Sequence, residues 1–274
     1  MNLLDDFLIQ LRQSPAVLVT VLKGQGSVPR EAGTWMAVFA DMQMGTIGGG
    51  HLEFEAMAQA RALLLDSAAV LPAPQRVALG PSLGQCCGGV VELGYERVSG
   101  GDVHRLQQSL TPQRQPLALF GGGHVGRALV KLLSELPFEL HWIDSRDEVF
   151  PQGLPSQVVC EHSEPVHQAV ASLAPGSAVL IMSFSHAEDL DVLAACLQRA
   201  RTRHDLPFIG LIGSATKWAT FQHRLEAKGF TEADLARVTC PIGLPGVGGK
   251  SPAEIAVAVA AQLLSTPALM AQSV

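Results

Sequence analysis

Apolar positions recur at helical spacing over Leu3 to Leu11 and then close up into a run of strand length, Ala16 to Leu22. A second strand is expected around Trp35 to Phe39, between the loops KGQGSVPREAG and MGTIGGG. Phe54, Met57, Ala58 and Leu65 fit one face of a helix from His51 to about Leu65. Beyond the break at Pro72 and Pro74, short strands are expected near Arg76 to Leu79 and Val90 to Tyr95, flanking LGPSLGQCCGG. This half reads as a mixed α+β domain over residues 1–110. Ser99, Gly100, Gly101 and a polar stretch to Gln115 mark its end as a short helix plus linker.

The rhythm then changes. Apolar strands at Pro116 to Phe120, Phe138 to Ile143, Val158 to Val159, Ala178 to Met182 and Pro207 to Ile212 alternate with helical patterns. The helices are expected over Arg127 to Glu135, Val166 to Leu173, Leu190 to Arg201 and Lys217 to Lys228. Regular alternation implies a parallel sheet with right-handed crossovers, so residues 115–274 read as a Rossmann-like domain. A last helix over Pro252 to Leu264 has Ser251 as N-cap and Pro252 in its first turn. The fold class is therefore α/β: a C-terminal Rossmann-like parallel sheet preceded by a smaller mixed α+β domain.

Composition narrows the function. The chain has 274 residues, 47% of them hydrophobic and only 16% charged, against roughly 25% charged in an average globular protein. A net charge of -6 argues against nucleic acid as a partner. The longest apolar helix, Ala253 to Leu264, contains Glu254 and Gln262 and falls short of the ~20 residues that span a membrane. The N-terminus MNLLDDFLIQ lacks the basic start of a secretory signal, and five irregularly spaced cysteines suggest no disulfide framework. These features are expected of a reduced, cytoplasmic protein.

Glycine, 27 residues in all, is the component that carries chemistry, because it is clustered. One group is Gly45, Gly48, Gly49 and Gly50, and another is Gly80, Gly84, Gly88 and Gly89. The others are Gly121, Gly122, Gly123 and Gly126, then Gly243, Gly246, Gly248 and Gly249. Three of the four run into a helical pattern, where free backbone N–H groups and the helix dipole favour an anion. GGGHVG, with Gly121, Gly123, His124 and Gly126, matches G-x-G-x-x-G between a strand and a helix. Asp144 closes the next strand, where a ribose hydroxyl would find a carboxylate. Arg146 either offsets Asp144 or meets a phosphate.

Other polar residues have two readings each. Cys86 and Cys87 are adjacent and lack the spacing of a zinc site. A thiolate there would suit a soft metal or carry sulfur; the alternative is a small buried apolar residue. Ser183, His186, Glu188 and Asp189 follow a strand at the carboxyl edge of the sheet, and His186 is either an acid–base or anion-contacting group or a helix cap. Ser214 and Lys217 face a phosphate or simply start a helix. Arg30 beside Pro29 is suited to fork an oxyanion, or is a surface residue paired with Glu31.

Together the strings GSVPREAGTWM, GTIGGGHLE, GQCCGG, LFGGGHVGRAL, IDSR, SFSHAEDL, IGLIGSATKW and CPIGLPGVGGKSPAEIAVAVAAQLL resemble the XdhC/CoxI family, accessory proteins of xanthine dehydrogenase and related molybdenum hydroxylases. The likeness runs in order from about Leu8 to Leu264. It implies a homodimeric chaperone, not a turnover enzyme, that binds the molybdenum cofactor (molybdopterin). Such a protein shelters the cofactor, supports its sulfuration with a cysteine desulfurase, and delivers it to the molybdenum-binding subunit of the dehydrogenase. The cofactor-binding set would comprise Arg30, Gly48, Gly49, Gly50, Cys86, Cys87, Gly121, Gly123, His124, Gly126, Asp144, His186 and Ser214, with Cys86 and Cys87 nearest the metal. Two departures stand out: Phe184 replaces the first histidine of a T-H-x-H string, and Ala215 replaces the arginine of IGSRTK.

Two other classes remain open on the sequence. GGGHVG with Asp144 also suits an NAD(P)-dependent oxidoreductase, although no Tyr-x-x-x-Lys pair exists and Tyr95 is the sole tyrosine. A nucleotide-sensing or dimerisation module over 115–274 is the third.

Overall fold

The computed structural model describes residues 3–66, 68–80 and 88–270. It divides into two compact units, Met1–Thr111 and Pro112–Val274.

The first unit contains α1 (Leu3–Leu11), β1 (Ala16–Gln25), β2 (Trp35–Val38), β3 (Gln43–Gly45), α2 (Gly50–Leu65), β4 (Gln75–Ala78), β5 (Val90–Val98) and α3 (Val103–Leu110). The strands form an antiparallel sheet in the order β3-β2-β1-β5-β4. Alternation along β1 and β2 sends Val17, Val19, Val21, Met36 and Val38 to one face, where Leu52, Ala56 and Ala60 of α2 cover them. Leu18 and Ala37 point to the other face, against Phe7, Leu8 and Leu11 of α1 and Leu106 of α3. Helices thus bury both faces of this sheet. β1 continues past Leu22 to Gln25 through a register shift between Val21 and Lys23.

The second unit runs β6 (Gln115–Phe120), α4 (His124–Leu133), β7 (Phe138–Asp144), β8 (Val158–His162), β9 (Ala178–Ile181), α5 (His186–Arg203), β10 (Phe208–Leu211), α6 (Ala215–Ala227), α7 (Glu232–Leu235), β11 (Val238–Thr239), α8 (Pro252–Leu264) and α9 (Pro267–Met270). The expected parallel sheet is present, in the order β11-β10-β9-β6-β7-β8. Ala118 and Phe120 of β6 and Val179 and Ile181 of β9 pack towards α5 and α6. Leu117, Leu119, Ala178 and Leu180 pack towards α4 and α8. Burial on both faces explains why these strands read as unbroken apolar runs.

Some elements differ from the sequence pattern. Val166–Ser172 is a 3-10 helix instead of an α-helix, closed in between Pro165 and Pro175. α5 begins four residues earlier than Leu190, because Ser185 accepts a hydrogen bond from the Glu188 N–H and caps it. α8 has the expected Ser251 cap and Pro252 in its first turn.

The path reverses between β6 and β9. From β6 the chain fills one side through β7 and β8, then crosses back to lay β9 on β6's other edge. This is the strand order of a doubly wound nucleotide-binding sheet, and ligands of such sheets lie at that switch point, beyond the carboxyl ends of the strands. Gly121 and Ser183 stand at those two ends.

Candidate functional site

The glycine turn after β6 is fixed by contacts only glycine permits. Gly121 has φ +125°, and a Cβ there would lie 2.0 Å from the Met182 carbonyl oxygen at the end of β9. A Cβ on Gly126 would lie 2.1 Å from the Gly121 carbonyl oxygen, so the third glycine of the motif lets α4 sit on the turn. The same carbonyl accepts a hydrogen bond from Trp142 Nε1 at 3.0 Å. Gly123 is different: nothing stands within 4 Å of its Cβ position. It is the N-cap residue of α4 and offers no side chain to the helix end. The N–H groups of Gly123, His124 and Val125 therefore have no acceptor among the described residues and open outward. His124 is exposed at the first helical position.

Asp144, at the end of β7, is only 1% exposed. Its Oδ2 accepts from the Gly122 N–H at 2.5 Å and from Arg146 Nη2 at 2.9 Å. Oδ1 accepts from the N–H and Nε of Arg146, at 2.9 and 2.8 Å. Burial opposes its charge, but the Arg146 side chain and the N–H groups of Gly122 and Arg146 outweigh that and hold the carboxyl below its ordinary value. With four hydrogen bonds, both oxygens are filled from within the chain. The Arg146–Asp144 pair is thus a clamp on the glycine turn, with a buried carboxylate. The Arg146 guanidinium also stacks on the Phe184 ring, 4.4 Å from its centroid.

At the ends of β9 and β10 a second polar link forms. Asp189 is buried; its Oδ1 accepts from the Ser183 N–H at 2.7 Å and its Oδ2 pairs with Lys217 Nζ at 2.6 Å. Lys217 also donates to the Ile212 carbonyl at 2.8 Å. Its ammonium is thereby committed inside the fold. Ser214 caps α6, accepting from the Lys217 N–H at 3.2 Å. His186 is exposed in the first turn of α5, with its ring edge-on to Phe221 at 6.3 Å.

In the first unit the organising group is Glu53, which the sequence pattern did not single out. Its Oε2 accepts from the Thr46 hydroxyl and from the N–H groups of Ile47 and Gly49 at 3.0 and 3.1 Å. Gln43 donates to Oε1 at 3.4 Å. Burial works against the charge, but these four donors prevail and hold the Glu53 carboxyl below its ordinary value. Gly48, Gly49 and Gly50 all have positive φ, and a Cβ on Gly48 would lie 2.6 Å from Pro29 Cγ and 3.7 Å from Arg30 Cγ. Gly89 packs as closely on the other side of that loop, its Cβ position 2.5 Å from the Ser27 carbonyl. The fold thus gathers the exposed Arg30, Gly48–Gly50 and the Gly88–Gly89 end of the cysteine loop. Cys86 and Cys87 lie outside the described residues.

Among the described residues no group of His, Cys, Asp and Glu is arranged to hold a metal. The three described cysteines are poor thiolates: burial pushes Cys196 up to about 12 and raises Cys160 and Cys240. No helix among the described residues is long and apolar enough to cross a membrane.

These features define a two-unit protein whose second unit is a Rossmann-type sheet with a glycine turn at its switch point. The chain belongs to the XdhC and CoxI family: the model of that family matches residues 10–71, and that of the XdhC Rossmann domain matches residues 117–263. It is 26% identical over 260 residues to the uncharacterized protein YqeB of Escherichia coli (strain K12), covering 93% of this chain and 44% of that protein. This chain therefore spans less than half the length of that relative. A crystal structure described as a xanthine dehydrogenase, from Bacillus halodurans, superposes with a TM-score of 0.76 at 19% identity, covering 97% and 96% of the two chains. That likeness extends the shared fold over both units.

Proposed function

We propose that this protein is an accessory factor of a xanthine dehydrogenase-type molybdenum enzyme, holding the molybdenum cofactor by its phosphate before delivery. The observation that carries the reading is the α4 N-terminus, where the N–H groups of Gly123, His124 and Val125 have no acceptor among the described residues and nothing stands within 4 Å of the Gly123 Cβ position. Family membership supplies the class of ligand and client. A phosphate ester fits this cradle, since no Cβ obstructs Gly123 and the helix dipole favours the charge. Arg127, in the first turn of α4, is turned back on the Gly122 and Val149 carbonyls at 3.3 and 3.1 Å. Binding there rests on backbone N–H groups.

When bound, the cofactor supplies the redox and oxygen-transfer chemistry of the enzyme that receives it. This chain's residues bind and position it. In the first unit, the exposed Arg30 beside the Gly48–Gly50 loop is suited to fork an oxyanion. Cys86 and Cys87 remain the candidates for a thiolate that meets the metal or relays sulfur from a cysteine desulfurase, because burial disfavours the thiolate at the other three cysteines.

The decisive experiment is purification from a molybdopterin-producing host, with the pterin released by oxidation and measured by fluorescence. Cofactor is expected with the wild-type protein, and Gly123→Ala is expected to retain about tenfold less. A protein without molybdopterin that also fails to stimulate apo-dehydrogenase would sink the proposal. If a Cys86→Ala, Cys87→Ala double variant keeps full cofactor and full stimulation, the thiolate role is wrong.

A nicotinamide-dependent oxidoreductase is the second reading, favoured by the strand order and glycine turn. The Asp144 carboxylate, which that reading assigns to ribose hydroxyls, already accepts four internal hydrogen bonds. Tight NADH or NADPH binding with hydride turnover would put this reading first.

A further inference from the structure

Beside the Asp144 clamp, at the carboxyl edge of the sheet, lies a cavity of about 370 Å³ whose walls include Ser145, Arg146, Glu164, His167, Phe184 and Glu188. One wall is flat. It is the stack of the Arg146 guanidinium on Phe184, with the guanidinium held in place by its fork on Asp144. Phe184 is 65% exposed, a large aromatic surface left open beside a fixed planar cation. Such a wall suits a planar ring.

The remaining charged walls are acceptors. Glu188 is positioned by the Ser145 hydroxyl at 2.9 Å on Oε1 and by the Phe184 N–H at 3.1 Å on Oε2, leaving a further lone pair on each oxygen. Glu164 has no hydrogen-bond or ion-pair partner among the described residues. Asp191, also on the wall, makes only a 3.4 Å contact with Lys228 at the surface. Against one arginine stand three carboxylates, so the cavity disfavours an anion and favours a ring edge that donates hydrogen bonds.

A carboxylate binds best to two adjacent N–H donors, which engage both oxygens at once. Guanine presents this edge as N1–H and the 2-amino group, and a pterin presents it as N3–H and the 2-amino group. Adenine, cytosine and nicotinamide do not. We propose that this cavity takes the 2-amino-4-oxo edge shared by guanine and pterins, with the ring against the Arg146–Phe184 stack and its two donors on Glu164. Asp144 joins this cavity to the glycine turn, bonding Gly122 on one side and Arg146 on the other. The proposal accordingly takes ring and phosphate as the two ends of one ligand. The inference deepens the cofactor-binding reading and rests on it for the phosphate end.

The test is calorimetric titration of the full chain with GMP, AMP, guanosine and 6-hydroxymethylpterin. GMP is expected to bind at least about tenfold more tightly than AMP, since a charge-assisted pair contributes about 1.5 kcal/mol or more. Glu164→Gln, at an exposed side chain, is expected to abolish that preference, and Phe184→Ala to weaken every ring ligand. Equal binding of AMP and GMP, an unchanged preference in Glu164→Gln, or no binding of any of the four overturns the proposal. If the pterin binds more tightly than guanosine, which like it carries no phosphate, the ring belongs to a pterin; the reverse order assigns it to a guanine nucleotide. Wild-type protein that lacks molybdopterin but keeps the GMP preference removes the cofactor reading alone. If wild-type protein carries molybdopterin and Glu164→Gln carries as much, this inference alone falls.

Discussion

A single methyl group separates two roles within the GGGHVG turn. At Gly126 it would meet the Gly121 carbonyl at 2.1 Å, and neither partner is free to move, being backbone on both sides. Gly126→Ala is therefore expected to destabilise the second unit by about 3 kcal/mol or more, at the upper end of overpacking costs. Gly123→Ala, with open space beyond it, should change stability by less than about 0.5 kcal/mol. Urea unfolding of the two variants checks both, and equal losses would refute the division of roles. Asp144 has a pH signature. Its folded value lies below the ordinary 3.8, so its stabilisation is complete above about pH 4 and is lost as pH falls through the folded value. Asp144→Asn, which takes the carboxylate from a partly exposed Arg146 and weakens the hydrogen bonds to Gly122 and Arg146, is expected to cost about 1–3 kcal/mol at pH 7. That gap should narrow as pH falls below about 4; a gap that widens there would contradict the clamp.

At the scale of elements, Glu53 at the start of α2 ties down the loop that precedes the helix. Glu53→Gln removes the charge from four hydrogen bonds and is expected to cost about 1–3 kcal/mol. Amide exchange should quicken at Ile47 and Gly49, which donate to it, and hardly change in β9. Uniform quickening would mean that Glu53 holds the unit as a whole. This clasp was not legible in the sequence, because its donors are brought together by Gly48, Gly49 and Gly50 at positive φ, a geometry no periodicity encodes. β6 and β9 were legible, since both faces are buried and, Gln115 apart, every residue is apolar. β3 and β11, three and two residues long and only half-buried, carry too little pattern to find. The glycine turn and the carboxylate that ends β7 were also visible from motif and spacing. Arg146 was legible as offsetting Asp144 or meeting a phosphate, and the turn after β7, which closes its fork on Asp144, decides for the first. Phe184, read as a mere departure from a histidine, gains a role only through its stack on Arg146.

At the scale of the molecule, each unit has a sheet with helices on both faces and its own buried clusters: Val17, Met36 and Leu52 in one, Phe120, Trp142 and Leu180 in the other. A core of that kind is sufficient for independent folding at about 100–160 residues. A fragment of residues 112–274 is therefore expected to unfold in one cooperative urea transition, and a fragment with no sigmoidal transition would show that its core needs the first unit. The folded fragment then separates two contributions to binding. Gly121–Val125, Asp144, Arg146 and the cavity beside them all lie within 112–274. Arg30, Gly48–Gly50 and Cys86–Cys87 do not. If the backbone cradle and the cavity carry the affinity, the fragment should bind GMP within about threefold of the full chain. If the arginine and cysteine loops of the first unit contribute, molybdopterin retention should fall by tenfold or more in the fragment while GMP binding stays. A fragment that folds but loses GMP as well would move the site away from α4.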